Sequence, residues 1–426
     1  MILPGDATTT LSPQYKWHLV AILWWISFFN YADRQALSAV SKLLETEMGL
    51  SKVELGLLGS SFAWAYGLFS PLAGYVVDRV RRKTAILSGL YIWSLICMAT
   101  ALCWNFKQLF VFRAAEGLGE TVYYPASTSL ISAYHGWRTR SRALGIHQTS
   151  VYVGTIGGGF FGAYIGDQYG WRWAFIVFGG LGILLGLVVS RLVIEPTGNI
   201  DDREKAGVEN QSGADVRMPM VEFLKTLART PTVLCLMAAF LCANYVAMVL
   251  LFWMPNFLSG KFDFSLPAAG LTATIFPQLA SMVGAPLGGW LADLLRKRIL
   301  AGRMLVQAFG VLAGAPFVLL CGQTYSVAWL IVALSAWGLF KGLYDANIFA
   351  SVFDIIRPEA RGTAAGFMNM VGWLGGGATA PVVIGFLAER YGFNLAISSA
   401  ALVYLAAAIF LVAAGLSLRS RDIASR

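Results

Sequence analysis

Histidine is nearly absent from this sequence, three residues in 426, and the five cysteines (Cys97, Cys103, Cys235, Cys242 and Cys321) include no CxxC pair. Metal-ligand spacing is missing with them. No metal and no cofactor is therefore expected, and the thiols read as small residues of apolar helices. Neither a GxSxG elbow nor a Walker loop occurs, so the common signatures of hydrolases and nucleotide-driven machines are missing. A membrane enzyme is disfavoured on this ground, while a non-transporting membrane receptor stands as a further alternative. Charge is scarce too: 13% of residues are charged, against about 25% in an average soluble chain.

Long apolar runs take the place of charge. Hydrophobic residues make up 57% of the chain and the mean hydropathy is +0.64. A bilayer core needs about 20 apolar residues per helix. Runs of that length occur near 17–40, 54–77, 84–104, 107–134, 141–166 and 171–193, and again near 231–258, 267–293, 303–322, 326–352, 361–389 and 394–417. The expectation is an all-α membrane protein of twelve transmembrane helices in two six-helix bundles. Residues 1–194 and 231–426 form the bundles, and residues 195–230 a polar linker with a surface helix near Met220 to Leu227.

The formal charge of +9 lies in alternate loops, at Arg79 to Lys83, Arg138 to Arg142, Arg296 to Arg303, Arg357 to Arg361 and the C-terminal arginines. By the positive-inside rule these loops and both termini are cytoplasmic, in a bacterial-type inner or plasma membrane. No nucleic-acid partner is needed to explain the charge. The polar first sixteen residues make a poor signal peptide and read as a retained N-terminus.

The halves repeat. Val153 to Gly159 and Val371 to Gly377 share the pattern VGxxGGG, Tyr169-Gly170 is answered by Tyr391-Gly392, and Gly74-xxx-Asp78 by Gly289-xxx-Asp293. The offset stays near about 218 residues, the mark of a duplicated bundle. The glycines read as faces for close helix packing.

Charges within spans cost at least about 2.5–3.5 kcal/mol each on insertion scales, so they face the bundle interior and carry function. Asp33 and Arg34 lie in the first span, and Arg113, Glu116 and Glu120 share one stripe of the fourth, extended by Tyr123 and Tyr124. Asp33 is about sixteen residues, roughly 24 Å, into its span, which sets it in the outer half, open to water from outside. It is either a proton site or half of a fixed salt bridge to Arg34 or Arg113. Glu116 either pairs with Arg113 or joins the proton set. Arg34 offers a planar fork that suits a carboxylate. Lys341 and Asp345, one turn apart in the tenth span, either neutralise each other or open to substrate. Arg113, Tyr31, Tyr124, Gln148, Tyr344, Asn347 and Asn369 complete the candidate substrate contacts, with Asn244 and Gln278 as further polar groups. His147 reads as structural, and Trp24, Trp25, Trp253, Trp290 and Trp373 as packing or interfacial residues, one or two of them walling a cavity.

Gly74 to Lys83 resembles the GxxxDRxxRK loop of the major facilitator superfamily, with Gly289 to Arg298 as a weaker copy. Asn30-Tyr31-Ala32-Asp33-Arg34, and Arg113 to Glu120 running into Pro125, resemble the anion:cation symporter group of sugar-acid, hexuronate and phthalate carriers. Gly117 to Glu120 and the first-span motif are similar to spinster-type lysolipid carriers as well. The first resemblance implies proton-coupled symport of a small organic anion by a monomer in lipid, with no enzyme activity. It assigns Arg34 to the substrate carboxylate and Glu120, seven residues after Arg113, to proton coupling. It also assigns Asp78, Arg79, Arg82 and Lys83, with Asp293 in the copy, to a gate latch. The second implies an amphiphile carrier.

Overall fold

The computed structural model describes residues 14–77, 79–135, 139–195, 220–356 and 361–425. In hydrocarbon every backbone group must be satisfied within its own segment, and the long apolar runs accordingly fold as helices. Six spans come first: α1 (Tyr15–Ala39), α3 (Lys52–Val77), α4 (Arg82–Thr100), α5 with α6 (Phe106–Glu120 and Tyr123–Tyr134), α7 (Arg140–Tyr169) and α8 (Trp171–Leu192). The short α2 (Ser41–Met48) follows the first span, and α9 (Met220–Ala228) is the expected helix of the linker, most of which lies outside the described residues. Six more follow: α10 (Pro231–Lys261), α11 (Leu266–Arg296), α12 (Gly302–Gln323), α13 with α14 (Val327–Asp345 and Ile348–Phe353), α15 with α16 (Arg361–Val371 and Thr379–Tyr391), and α17 (Phe393–Ser425).

Eight of these spans are long and apolar enough to cross a membrane by length and composition alone, and they include all six of the second half. The first, second, fourth and fifth fall short. The first and fourth hold the buried charges, so the polar load of the molecule is concentrated in the N-terminal bundle.

The repeat has a structural cause at both of its ends. Gly170 and Gly392 take the same backbone turn, φ 90° and ψ 154° against φ 82° and ψ 156°, a region that favours glycine, and each reverses the chain between consecutive spans. The VGxxGGG segments are packing faces. Gly154 and Gly158 abut the backbone of Phe28 and Ala32 in α1, and Gly376 abuts the backbone of Leu241 in α10. In the second copy the segment opens into a π-helical turn, Gly372–Gly377.

The two bundles meet tightly at one end. Gly159 of α7 and Gly270 of α11 touch backbone to backbone, and a methyl group on Gly159 would lie 2.7 Å from the Gly270 carbonyl oxygen. Gln35 Nε2 donates to the Leu251 carbonyl at 2.9 Å, and Ser38 Oγ to that of Phe252 at 2.5 Å. The Val53 amide donates to Glu389 at 3.1 Å, and Asn256 Nδ2 to Glu45 at 3.1 Å. These contacts seal the end that carries α2.

Candidate substrate cavity and buried charge cluster

A cavity of about 500 Å³ lies between the bundles. It is of the size that holds a small ligand. Tyr31, Arg34, Arg113, Tyr124 and Gln148 line it from the N-terminal half, and Lys341, Tyr344 and Asn369 from the C-terminal half. Asn244 and Gln278 line it too.

Arg34 is the centre of the N-terminal wall. Its Nε donates to Glu120, while Nη1 has no hydrogen-bond partner among the described residues. Aromatic rings box the guanidinium: Tyr66 at 4.6 Å, Tyr31 at 4.7 Å, Phe62 at 5.1 Å and Trp373 at 5.7 Å. The rings hold the fork by their faces and leave its edge to donate. Trp373 reaches across from the C-terminal half because it sits in the π-helical turn, and its ring centroid is 5.1 Å from that of Tyr66. Such turns recur at functional sites.

Behind this wall is a cluster of charge. Arg113 Nη1 donates to Glu116 at 2.5 Å, both fully or nearly fully buried. Asp33 is wholly buried, does not line the cavity, and neither of its oxygens accepts a hydrogen bond among the described residues. The Trp93 indole is close by but outside hydrogen-bonding geometry. One Asp33 oxygen, one Glu116 oxygen and the Cys97 thiol lie within 4.8 Å of one another. Among the described residues, the cations that act on Asp33, Glu116 and Glu120 are Arg34 and Arg113, so full ionisation would leave a buried excess negative charge. A proton on one carboxyl removes that excess. Asp33, Glu116 and Cys97 are close enough together to ligate a cation, though a neutral thiol is a poor donor for a hard one.

Two expectations are corrected here. Asp33 was placed where outside water reaches it, but the end carrying α2 is sealed and Asp33 is enclosed. It also pairs with neither Arg34 nor Arg113, because adjacent residues on a helix point about 100° apart and Arg34 turns to Glu120 instead. Asn347 was grouped with the substrate contacts, but its amide donates to the Gly288 and Leu343 carbonyls, both at 3.0 Å, and it does not line the cavity. It ties α11 to the break between α13 and α14.

His147 sits 3.2 Å from the Tyr123 hydroxyl, which donates to the Leu23 carbonyl at 2.6 Å, a structural bridge. Of the gate residues, Asp78 lies outside the described residues. Arg79 folds over the ring of Tyr75 and donates to its carbonyl at 3.0 Å. The Arg82 and Lys83 amides, at the start of α4, donate to the Glu195 carboxylate at 3.2 and 2.8 Å. An acid there complements the positive end of the helix. In the copy, Arg303 joins Asp293 at 3.0 Å and Asp354 at 3.4 Å, and Arg296 joins Asp354 at 3.0 Å.

Sequence reasoning passed over Glu195 and Asp354, which lie far from their partners along the chain, and Phe62, Tyr66 and Tyr152. The aromatics carry no sequence signal apart from their spacing.

Comparison with known proteins agrees with this architecture. The family model described as Major Facilitator Superfamily matches residues 23–377 and 257–424. The chain is 27% identical over 402 residues to the D-galactonate transporter of Escherichia coli O6:H1, covering 88% of this chain and 89% of that protein. It is 26% identical to the hexuronate transporter of Bacillus subtilis, again covering 88% and 89%. A third relative, also from Bacillus subtilis, is named "Probable galactarate/D-glucarate transporter GudP", 27% identical over 403 residues, or 89% of this chain and 87% of that one. Among solved structures, a bacterial homologue of the human lysosomal transporter Spinster, inward-facing and unoccupied, superposes with a TM-score of 0.84 at 19% identity, over 95% of this chain and 97% of that chain. Twelve spans in two pseudo-symmetric bundles, a cavity between them and the family match lead to one conclusion: the chain belongs to the Major Facilitator Superfamily, as a multi-pass membrane transporter and not an enzyme.

Proposed function

We propose that this protein is a proton-coupled symporter of a small organic anion, a sugar acid or similar carboxylate, working by alternating access as a monomer in lipid. The observation that carries the reading is Arg34: a boxed guanidinium on the cavity wall, bonded to the buried acid Glu120, with its Nη1 amino group unpartnered among the described residues. The sugar-acid names of the relatives support the substrate class.

The coupling follows from charge balance. A proton on Glu120 neutralises its carboxyl and loosens its grip on Arg34, and the substrate carboxylate takes the vacated side of the fork bidentately. One monoanion with one proton adds no net charge to the site. Asp33 and Glu116, close together and away from the cavity, form a second place for a proton. A buried carboxyl whose oxygens accept no hydrogen bond is better matched to a neutral acid than to an anion. Tyr31, Tyr124, Gln148 and Asn369 supply hydrogen bonds to substrate hydroxyls.

Basic residues flank the ends of the bundle opposite α2, which favours a cytoplasmic placing of that side and of both termini. The sealed end then faces outward and the cavity opens inward. Arg79, Arg82 and Lys83, with Asp293, act in the gate at that face.

Uptake into proteoliposomes tests the reading. A pH gradient, acid outside, should drive accumulation of galactonate, and a proton ionophore should abolish it. Accumulation indifferent to the gradient rules out the proton part. An amphiphile carrier of the spinster kind is the alternative, and a thermal-shift response to lysolipids with none to sugar acids would favour it.

A further inference from the structure

The wall opposite Arg34 carries a second cation held by an acid. Lys341 and Asp345 lie one turn apart at the end of α13, both line the cavity, and the ammonium is bonded to the carboxylate. Their side chains are 17% and 34% exposed, so the pair faces the cavity and is not locked in the core. Tyr152 of the N-terminal half lines the cavity as well, near enough to feel both charges. Among the described lining residues, Arg34, Arg113 and Lys341 are the cations, and Arg113 is already bound to Glu116.

A largely buried ion pair between neighbours on one helix can usually be replaced by apolar residues at little cost to the fold, because desolvation offsets most of its attraction. An apolar pair would serve the helix as well. The ammonium is worth more to a ligand, since a cation facing a cavity walled largely by apolar side chains attracts an anion strongly. The arrangement parallels the first wall: a cation, held in the empty cavity by an acid that a ligand carboxylate can replace. One pair belongs to the N-terminal bundle and the other to the C-terminal bundle.

We propose that the cavity takes a short dianion with an acid group at each end, one on Arg34 and the other on Lys341, and that Lys341 sets the preference for diacids over monoacids. This rests on the reading of Arg34 as a carboxylate site. The second carboxylate displaces Asp345, which is a third exposed and turns to the cavity water. A ligand gripped at both ends ties the two bundles together, so its binding favours the conformation in which they close on it.

Galactarate and galactonate make a matched pair of probes, because they share a carbon chain and differ in whether one end is a carboxylate. Binding of each to the purified full-length protein gives a ratio of affinities. Wild type is expected to favour galactarate. Lys341→Gln should lower that ratio at least tenfold, Lys341→Arg should keep most of it, and Asp345→Asn should raise it. Arg34→Gln should weaken both ligands. An unchanged ratio in folded Lys341→Gln protein, or a wild type that prefers galactonate, overturns the dianion proposal while leaving the Arg34 reading in place. Should Lys341→Gln fail to fold, an Asp345→Asn ratio equal to or below that of wild type overturns it. Binding of neither acid by the wild type removes both readings together.

Discussion

Glu45 of the N-terminal bundle accepts a hydrogen bond from Asn256 of the C-terminal bundle at 3.1 Å, and the same carboxylate meets Lys42 at 3.2 Å and Lys52 at 3.4 Å. Burial disfavours its charge, but the Asn256 amide, Lys52 and Lys42 together outweigh that and hold the carboxyl below its usual range. The contribution of a depressed carboxyl is present at pH above its ordinary value and is lost as pH falls through the lower, folded value. The sealed end should therefore loosen only below about pH 4. Spin labels at Glu47 and Asp263, on the two sides of this seam, should report a wider distance at acid pH, and Glu45→Gln should remove the pH response. A separation constant down to pH 3 in the wild type would refute this.

Gly159 and Gly270 set how closely α7 and α11 approach. Gly270→Leu would drive a side chain into the Gly159 backbone, which cannot yield. Overpacking of this kind costs about 1–3 kcal/mol, enough to lower the ratio of sealed to open protein by roughly fivefold or more. The same pair of labels should show the end carrying α2 opening in this variant without acid.

Glu120→Gln keeps the shape of the acid and fixes it neutral. Arg34 then loses its charged partner at every pH. Galactonate exchange across the membrane should persist, while accumulation driven by a pH gradient should fall at least tenfold. Counterflow and gradient-driven uptake measured on the same proteoliposomes would check this, and equal losses in both would argue that Glu120 merely positions Arg34.

The Asn347 side chain makes two hydrogen bonds within the protein and does not line the cavity. Asn347→Leu would bury two carbonyls with fewer partners, at a cost of about 1–3 kcal/mol. The melting temperature in detergent should drop, while the affinity of folded protein for galactonate should stay within about twofold of wild type, because the side chain is off the cavity. A selective loss of affinity at unchanged melting temperature would restore Asn347 to the substrate contacts.

Trp373→Ala would remove the C-terminal side of the box around Arg34. The cation–ring contact is worth about 0.5–2 kcal/mol, so galactonate affinity should weaken by about twofold to thirtyfold. Trp373→Phe should recover most of it, which calorimetry on both variants would establish.

Much of this molecule was legible in the chain itself. Lipid as solvent demands long apolar helices, and that demand is written in composition, so the twelve spans and the duplication could be read directly. Even the Gly170 and Gly392 turns were visible as a repeat, because a backbone at positive φ favours glycine wherever it occurs. The buried charges were also identifiable, since an ionised side chain in an apolar run has a large cost and turns to the bundle interior.

What only the tertiary structure decided is which of those charges face one another. Asp33 and Arg34 are neighbours in sequence, yet Arg34 reaches Glu120 and the cavity while Asp33 turns inward towards Glu116 and Cys97. Helical rotation separates adjacent residues, and the register between α1 and α5 is set by packing across 86 positions of chain, which no local pattern encodes. The same holds for Trp373, placed over Arg34 from a π-helical turn, and for Asn347, whose amide is turned to the Gly288 and Leu343 carbonyls at a helix seam. Composition decides that a charge is buried; packing decides what it meets.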